Sequence, residues 1–290
     1  MPRILIAGCG YVGQAAADVY HAAGWAVEGW IRSAESVATL SAKPYPICRV
    51  DISRRARVAE RTGTFDAVIQ CASSSGGDAE MYRQVYLDGA RNLLEMFPGS
   101  KLLFTSSTSV YAQGDGSWVT EESETKPTRE TSQILLETEG LVLANGGIVA
   151  RLAGIYGPGR SALLTKFVEG TAIVDAENDR FVNQVHRDDI AAALFLLLSR
   201  EGESGQIYNV VDDEPTLQSE CYRWLAQKLK RPPPPLGKSK LQRKRGDSNK
   251  RVSNAKLHRS GWTPQYRTFG EAMEKSILPS FAGLLCKPSH

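Results

Sequence analysis

The 290-residue chain has little cysteine and histidine, no large excess of either charge and no long apolar run. Each shortage closes a class of function. The five cysteines, Cys9, Cys48, Cys71, Cys221 and Cys286, are odd in number, scattered and without any C-x-x-C spacing. They suit a reducing compartment and exclude both a disulfide framework and a cysteine zinc site. Histidine numbers four, and no H-x-x-x-H or paired-carboxylate pattern that would justify a metal is present, so no metal is expected. A net charge of +3 points to no polyanionic partner. The longest apolar run, Ala191 to Leu198, is far shorter than the ~20 residues a bilayer requires and reads as a buried helix. The first strand starts almost at Met1 and leaves no room for a secretory leader, so a cytoplasmic protein without membrane contact is expected. Length and an ordinary 42% hydrophobic, 23% charged composition allow one large α/β domain or a main domain with a smaller lobe.

What is present is concentrated at the start. Ile4 to Gly13 reads Ile-Leu-Ile-Ala-Gly-Cys-Gly-Tyr-Val-Gly, an apolar strand entering a G-x-G-x-x-G loop, with helical periodicity following. Gly8 suits the tight turn, Gly10 lets the backbone approach a pyrophosphate, and Gly13 lets the helix pack against the strand. Tyr11 and Val12 complete the loop, whose amides would face the phosphates. Gln14 to Ala23 reads as a helix ended by Gly24, and Trp25 to Ile31 as a second strand. An acidic residue after that strand would accept the ribose 2′-OH of NAD. Arg32 and Ser33 stand there instead, and a guanidinium holds a 2′-phosphate, which favours NADP over NAD. The alternative is a surface arginine on a βα loop.

Strand and helix signals continue to alternate: Asp66 to Cys71 and Lys101 to Thr105 are of strand length, with a helical stretch from Ala79 to Met96 between them. The pattern predicts a doubly wound parallel sheet with helices on both faces. Ligands bind such a sheet beyond the carboxyl ends of its strands, where Gly8 to Gly13, Arg32, Asp51, Ala72 with Ser73, and Ser106 with Ser107 fall. Asp51 could meet an adenine amino group or simply cap a helix.

These segments resemble the extended short-chain dehydrogenases/reductases, also called the NAD-dependent epimerase/dehydratase family, from the glycine loop to about Gly270. Cys71-Ala72 resembles the motif beneath the cofactor, and Leu87-Asp88-Gly89-Ala90-Arg91-Asn92-Leu93-Leu94 the central helix. Ser106-Ser107-Thr108-Ser109-Val110-Tyr111 resembles the serine motif, in which the position of Ser107 touches the reacting oxygen of the substrate. Arg151 with Ile155-Tyr156-Gly157-Pro158-Gly159 resembles the segment leading into the substrate lobe, and Val185 to Ile190 and Ile207 to Val210 resemble two further segments. The resemblance implies a Rossmann domain over 1–155, with 180–212 returning to it, and a smaller, mostly helical substrate lobe over 156–179 and 213–290. A homodimer through the helices flanking the serine motif would be ordinary for the family.

One family feature is missing. A Tyr-x-x-x-Lys on the helix after the serine motif supplies the acid/base phenol and the ammonium that lowers its pKa. Anchored on Ser132 and Glu137, this chain places Arg129 and Gln133 at those positions. Arginine does not exchange a proton near neutral pH and glutamine carries no charge. The chain thus resembles the atypical members of the family.

Three readings follow. The first is a reductase or epimerase using Tyr111 or Glu130 as the acid. The second is an NADPH-binding sensor or partner-binding protein without turnover. The third is an enzyme for a nucleotide-linked sugar, in which Arg129 orients a carboxylate or phosphate. Tyr111 as a buried ring and Glu130 as a first-turn helix acid are the structural alternatives. Arg160 and Arg251 are further substrate-binding candidates, while His186 reads as a structural hydrogen-bonding residue. The basic stretch from Leu236 to Arg259 follows a proline spacer, Pro232 to Pro235, and lacks interleaved aromatics. It reads as a solvated loop or a clamp on an anionic substrate, and no nucleic acid is expected.

Overall fold

Runs such as Ile4-Leu5-Ile6-Ala7 and Ala67-Val68-Ile69-Gln70 are buried at every position, as expected of parallel strands covered on both faces. The computed structural model describes residues 1–61, 63–74, 76–200, 203–238 and 248–281. In it the strands β1 (Arg3–Ala7), β2 (Ala26–Ile31), β3 (Ile47–Arg49), β4 (Ala67–Gln70) and β5 (Lys101–Ser107) join Ile148–Leu152 and Ile207–Val210 in one seven-stranded sheet. The order is Ile207–Val210, Ile148–Leu152, β5, β4, β1, β2, β3. The pairing is parallel, with Ile4 opposite both Val27 and Ala67. The chain builds outward from β1 through β2 to β3, then returns to lay β4 on the other side of β1. The topological switch point therefore lies between β1 and β4.

Residue contacts divide the chain into two units. The first comprises Met1–Val110, Glu124–Leu152 and Ile190–Tyr208; the second comprises Tyr111–Ser123, Ala153–Asp189 and the chain from Asn209 onward. The run Ala191 to Leu198 lies in the helix Arg187–Ser199, with Ala191, Ala193, Leu194, Leu197 and Leu198 buried.

The first helix, α1 (Tyr11–Ala22), begins three residues earlier than periodicity suggests, because the Gln14 amide already donates to Gly10 O at 2.8 Å. The stretch from Ala79 to Met96 is helical throughout but not uniformly α. Between Ala79–Tyr82 and Gly89–Met96, residues Arg83–Asp88 form a π-helical turn. The buried Gln70 side chain donates from Nε2 to the carbonyls of Val85 (3.1 Å) and Tyr86 (2.9 Å), bonding to that turn from β4.

In the second unit the helices Ala162–Val168 and Gln218–Leu229 share an apolar core with Tyr156, Phe269, Met273 and Ile277. Two-residue ladders tie its loops: Trp118–Val119 runs parallel to Arg251–Val252, and Phe181–Val182 antiparallel to Thr216–Leu217. His186 is fully buried, with Nε2 2.9 Å from Ser276 Oγ and Nδ1 accepting from the Asp188 amide. Burial lowers its pKa to about 4, which fits a structural role. Asp189 accepts from the amides of Gln265 (2.6 Å) and Tyr266 (3.1 Å).

Candidate cofactor and active site

In the first unit the loop after β1 meets the loop after β4 at the switch point. The amides of Gly8 and Cys9 both donate to Trp30 O (3.0 and 2.8 Å), and the Cys71 amide donates to Ala7 O at 2.8 Å. The first two bonds tie the glycine loop to the end of β2, and the third ties the end of β4 to that of β1. Gly8 has φ +109°, and a Cβ on it would lie 2.1 Å from the Ala72 nitrogen. A Cβ on Gly13 would lie 2.3 Å from Gly8 O. Only glycine fits at either place. Gly10 differs: a Cβ there would meet nothing nearer than Gly8 O at 4.0 Å. Two glycines thus close the turn and one opens it, and the open one immediately precedes α1. No side chain caps α1 and no acidic residue occupies its first turn, leaving its N-terminus suited to an anion. Tyr11 and Val12 start the helix, with Val12 buried.

The other cofactor candidates sit at neighbouring strand ends. Arg32 follows β2 and is exposed; its carbonyl accepts from Arg49 Nε at 3.3 Å, and its Nη1 lies 4.0 Å from Met81 Sδ. Ser33 caps the short helix Ala34–Thr39, accepting from the Ser36 amide at 3.0 Å. Asp51 accepts from Ser53 N (3.1 Å) and Ser53 Oγ (2.7 Å). Cys71 Sγ donates to Gly8 O at 3.2 Å, and Ala72 and Ser73 continue the same strip. Burial drives the Cys71 thiol well above its ordinary pKa and that of Cys9 up to about 12. Neither is a thiolate nucleophile.

Ser107 ends β5, and its Oγ accepts from the Ser109 amide at 3.2 Å. Ser132 Oγ, on the helix Glu130–Ala144, donates to Ser109 Oγ at 3.3 Å. A buried ion pair fixes that helix: Arg151 donates to Glu139 from Nη2 (2.7 Å) and Nε (3.1 and 3.2 Å), and Ser106 Oγ adds a 2.5 Å bond to Glu139 Oε1. Sequence reading missed Glu139. Its signal was a glutamate on the inner face of a helix.

Arg129, Glu130 and Gln133 at the start of the same helix are exposed. Arg129 precedes the helix, with extended dihedrals (φ −85°, ψ 129°), and is exposed. Its carbonyl accepts from the Gln133 amide at 3.1 Å, and Gln133 Nε2 donates to Pro127 O at 3.1 Å. Glu130 opens the helix, also exposed.

A second unforeseen pair is Ser74 and Tyr86. The Ser74 amide donates to Tyr86 Oη at 3.4 Å, and the buried Ser74 Oγ has no partner among the described residues. Tyr86 stands on the π turn, packed against Tyr82 and Phe104.

Tyr111, Arg160 and Arg251 belong to the second unit. Tyr111 is 1% exposed, and its hydroxyl donates to Asn209 Oδ1 at 2.8 Å. This engagement removes the phenol from the pool of accessible acids, against the catalytic expectation. Arg160 is exposed, and its backbone exchanges hydrogen bonds with Gly157 at a tight turn. Arg251 Nε donates to Gly116 O at 2.8 Å, and its guanidinium lies 5.3 Å from the Trp118 ring centroid and 5.0 Å from that of Phe181. Of the basic stretch, residues 239–247 lie outside the described residues. Among the described residues no cluster of histidine, cysteine and carboxylates could hold a metal, and no helix is long and apolar enough to cross a membrane.

The model of the NAD dependent epimerase/dehydratase family matches residues 4–210. The chain belongs to this family. It is also 30% identical over 246 residues to protein YeeZ of Escherichia coli K12, covering 81% of this chain and 86% of YeeZ. Among solved family folds, a structure from Methylobacillus flagellatus described as an NAD-dependent epimerase/dehydratase superposes with a TM-score of 0.76 and 27% identity, covering 94% of this chain and 96% of that one. The dTDP-glucose 4,6-dehydratase of Bacillus anthracis, solved with NAD, gives a TM-score of 0.81 at 19% identity, with 98% and 97% coverage. That likeness is one of fold.

Proposed function

We propose that this family member binds NADP(H) in its first unit and uses it for oxidoreductase or epimerase chemistry on a small molecule bearing a hydroxyl or carbonyl. The observation that carries this reading is the switch-point loop. Gly8 and Gly13 admit no side chain, Gly10 faces open space, and an uncapped helix follows. In this assignment Gly8, Gly10, Tyr11, Val12 and Gly13 surround the pyrophosphate, Arg32 and Ser33 hold the 2′-phosphate, and Asp51 lies toward the adenine. Cys71, Ala72 and Ser73 form the strip beneath the cofactor. The nicotinamide would supply or accept hydride, while the protein orients the reactants.

Ser107 is assigned to the reacting oxygen. Glu130 stays in the set as an exposed carboxylate at the start of its helix; Tyr111 is given a structural role. Arg129, Arg160 and Arg251 are assigned to the substrate. Nucleotide-linked sugars are the first class to test, since the UDP-glucose 4-epimerases of Thermotoga maritima and Thermus thermophilus share the fold. The scattered free cysteines favour a reducing cytoplasm.

Titration with NADPH and NADH by fluorescence tests the cofactor, and a panel of carbonyl compounds and nucleotide sugars tests turnover. Preference for NADH rejects the role of Arg32. A second reading, cofactor binding without turnover, is favoured by the absence of the Tyr-x-x-x-Lys pair and by the Tyr111 phenol being held by Asn209. Tight NADPH binding without oxidation of NADPH by any member of the panel would support it.

A further inference from the structure

Beyond the ends of β4 and β5 the first unit holds a phenol whose proton is uncommitted. Gln70 of β4 lies opposite Phe104 of β5 in the parallel register, and both side chains meet the π turn Arg83–Asp88. Gln70 Nε2 donates to the carbonyls of Val85 and Tyr86, and the Phe104 ring centroid lies 6.1 Å from that of Tyr86. Tyr86 is thereby set over the boundary between the two strands. Its hydroxyl oxygen accepts from the Ser74 amide at 3.4 Å, in the loop that follows β4. The phenol thus stands past the carboxyl ends of two central strands, where a doubly wound sheet receives its ligands. It lies beside the strip Cys71 to Ser73, and β5 next to it ends at Ser107.

Two hydroxyls meet there with protons to give. Tyr86 Oη accepts the Ser74 amide and donates to no described residue. Ser74 is 7% exposed, and its Oγ has no partner among the described residues. A buried hydroxyl left unpaired opposes folding, and an acceptor oxygen brought by a ligand relieves that penalty. The charged side chains of the turn are spent elsewhere: Arg83 pairs with Glu137 (3.1 Å) and Asp88 with Arg91 (2.8 Å). The ring itself is held, half-buried and 5.0 Å from the Tyr82 ring. Gly89 lets the end of the turn sit close to β4, since a Cβ on it would lie 3.1 Å from Gln70 Nε2.

We propose that Tyr86 is the proton donor of this site: its phenol, with the Ser74 hydroxyl beside it, holds the carbonyl oxygen of the substrate and protonates it. The carbonyl carbon accepts hydride from the reduced cofactor, which is thereby oxidised. The electron pair of the C=O π bond moves to oxygen, and that oxygen takes the Tyr86 proton. Hydride and proton together reduce the carbonyl to an alcohol, and the phenolate recovers its proton from water. Gln70 is a positioning residue, because its bonds to the π turn aim Tyr86. This rests on the cofactor reading and adds to it the residue that moves the proton.

The test follows the ultraviolet absorbance of tyrosinate against pH in the full chain, with NADP⁺ or NADPH bound, and subtracts the same curves for Tyr86→Phe. The difference isolates the Tyr86 phenol. The two cofactor forms differ in the charge of the nicotinamide ring, so a phenol at the reacting atoms should titrate at least about one pH unit lower with NADP⁺. Across a panel of carbonyl compounds, NADPH oxidation should fall at least about a hundredfold in Tyr86→Phe, with NADPH affinity within about twofold. A phenol held only for packing titrates alike with both forms, and that result overturns the proposal, as does unchanged turnover in Tyr86→Phe. If the wild type reduces no member of the panel, the titration alone decides. Failure of NADPH to bind defeats the cofactor reading and this proposal with it, whereas bound NADPH beside an indifferent phenol defeats this proposal alone. Should Tyr86→Phe not fold, Tyr86→His serves as the blank.

Discussion

The glycine loop of the first unit and the Lys250–Arg251 corner of the second place polar groups in two different ways. The loop uses neutral backbone: amides at a helix start, held in place by a turn that only glycine can make. Its dipoles carry no net charge and need no counter-ion when the protein folds alone. The corner uses charged side chains, and one of them is buried. Burying that charge opposes folding. The first arrangement fixes a place, whereas the second fixes a charge.

The largest effect that separates them should come from Gly8→Ala. With φ +109° and a Cβ 2.1 Å from Ala72 N, it should destabilise the protein by about 2–5 kcal/mol through backbone strain and overpacking. Denaturant unfolding measures the loss, and NADPH titration should find binding abolished. Retained binding would show that the loop does not hold the cofactor. Arg32→Asp is next: affinity for NADPH should fall about tenfold to a hundredfold, the scale of a lost charge-assisted contact, with NADH within about twofold on the same scale. Equal losses for both would detach Arg32 from the 2′-phosphate.

The corner is sharpened by pH. Because the folded-state pKa of Lys250 lies near 8, below its ordinary 10.5, the unfolded chain binds more protons between those values, and stability should rise across that window. Lys250→Met should remove this slope, read as the wild-type-minus-variant difference in unfolding free energy against pH; parallel profiles would refute the burial argument. The smallest effect is expected from Arg129→Tyr with Gln133→Lys. Both sites are exposed, so stability should stay within about 0.5 kcal/mol. No added turnover should appear, because both side chains stand in solvent at the start of the helix. A gain in NADPH oxidation with the substrate panel would contradict this.

The loop was legible in sequence because its determinants are adjacent: strand, glycines and helix follow within about twenty residues. So was the parallel sheet, since buried strands are written as contiguous apolar runs. The corner was only half legible. Arg251 was a candidate, but its setting depends on pairing with Trp118, far away in the chain, and no local pattern announces a two-residue ladder. Lys250 was hidden among basic neighbours whose composition suggested solvent. The extended conformation of Arg129 escaped an alignment that treats the segment as helix throughout. Glu139 and Arg151 match only after β5 and the strand Ile148–Leu152 bring their elements together.

The π turn at Arg83–Asp88 gives one stretch of chain two phases. An α-helix advances about 100° per residue, and a wider turn accommodates an extra residue without breaking the rod. Positions before the turn and after it therefore follow different angular counts. Ala90 and Leu93 answer to the buried sheet, while Met81 and Tyr82 answer to the loop beside Arg32 and to Tyr86. The Gln70 amide acts as the clutch between these halves. Substitutions in Ala79–Tyr82 can consequently retune the loop beside Arg32 while the core-facing half keeps its alignment.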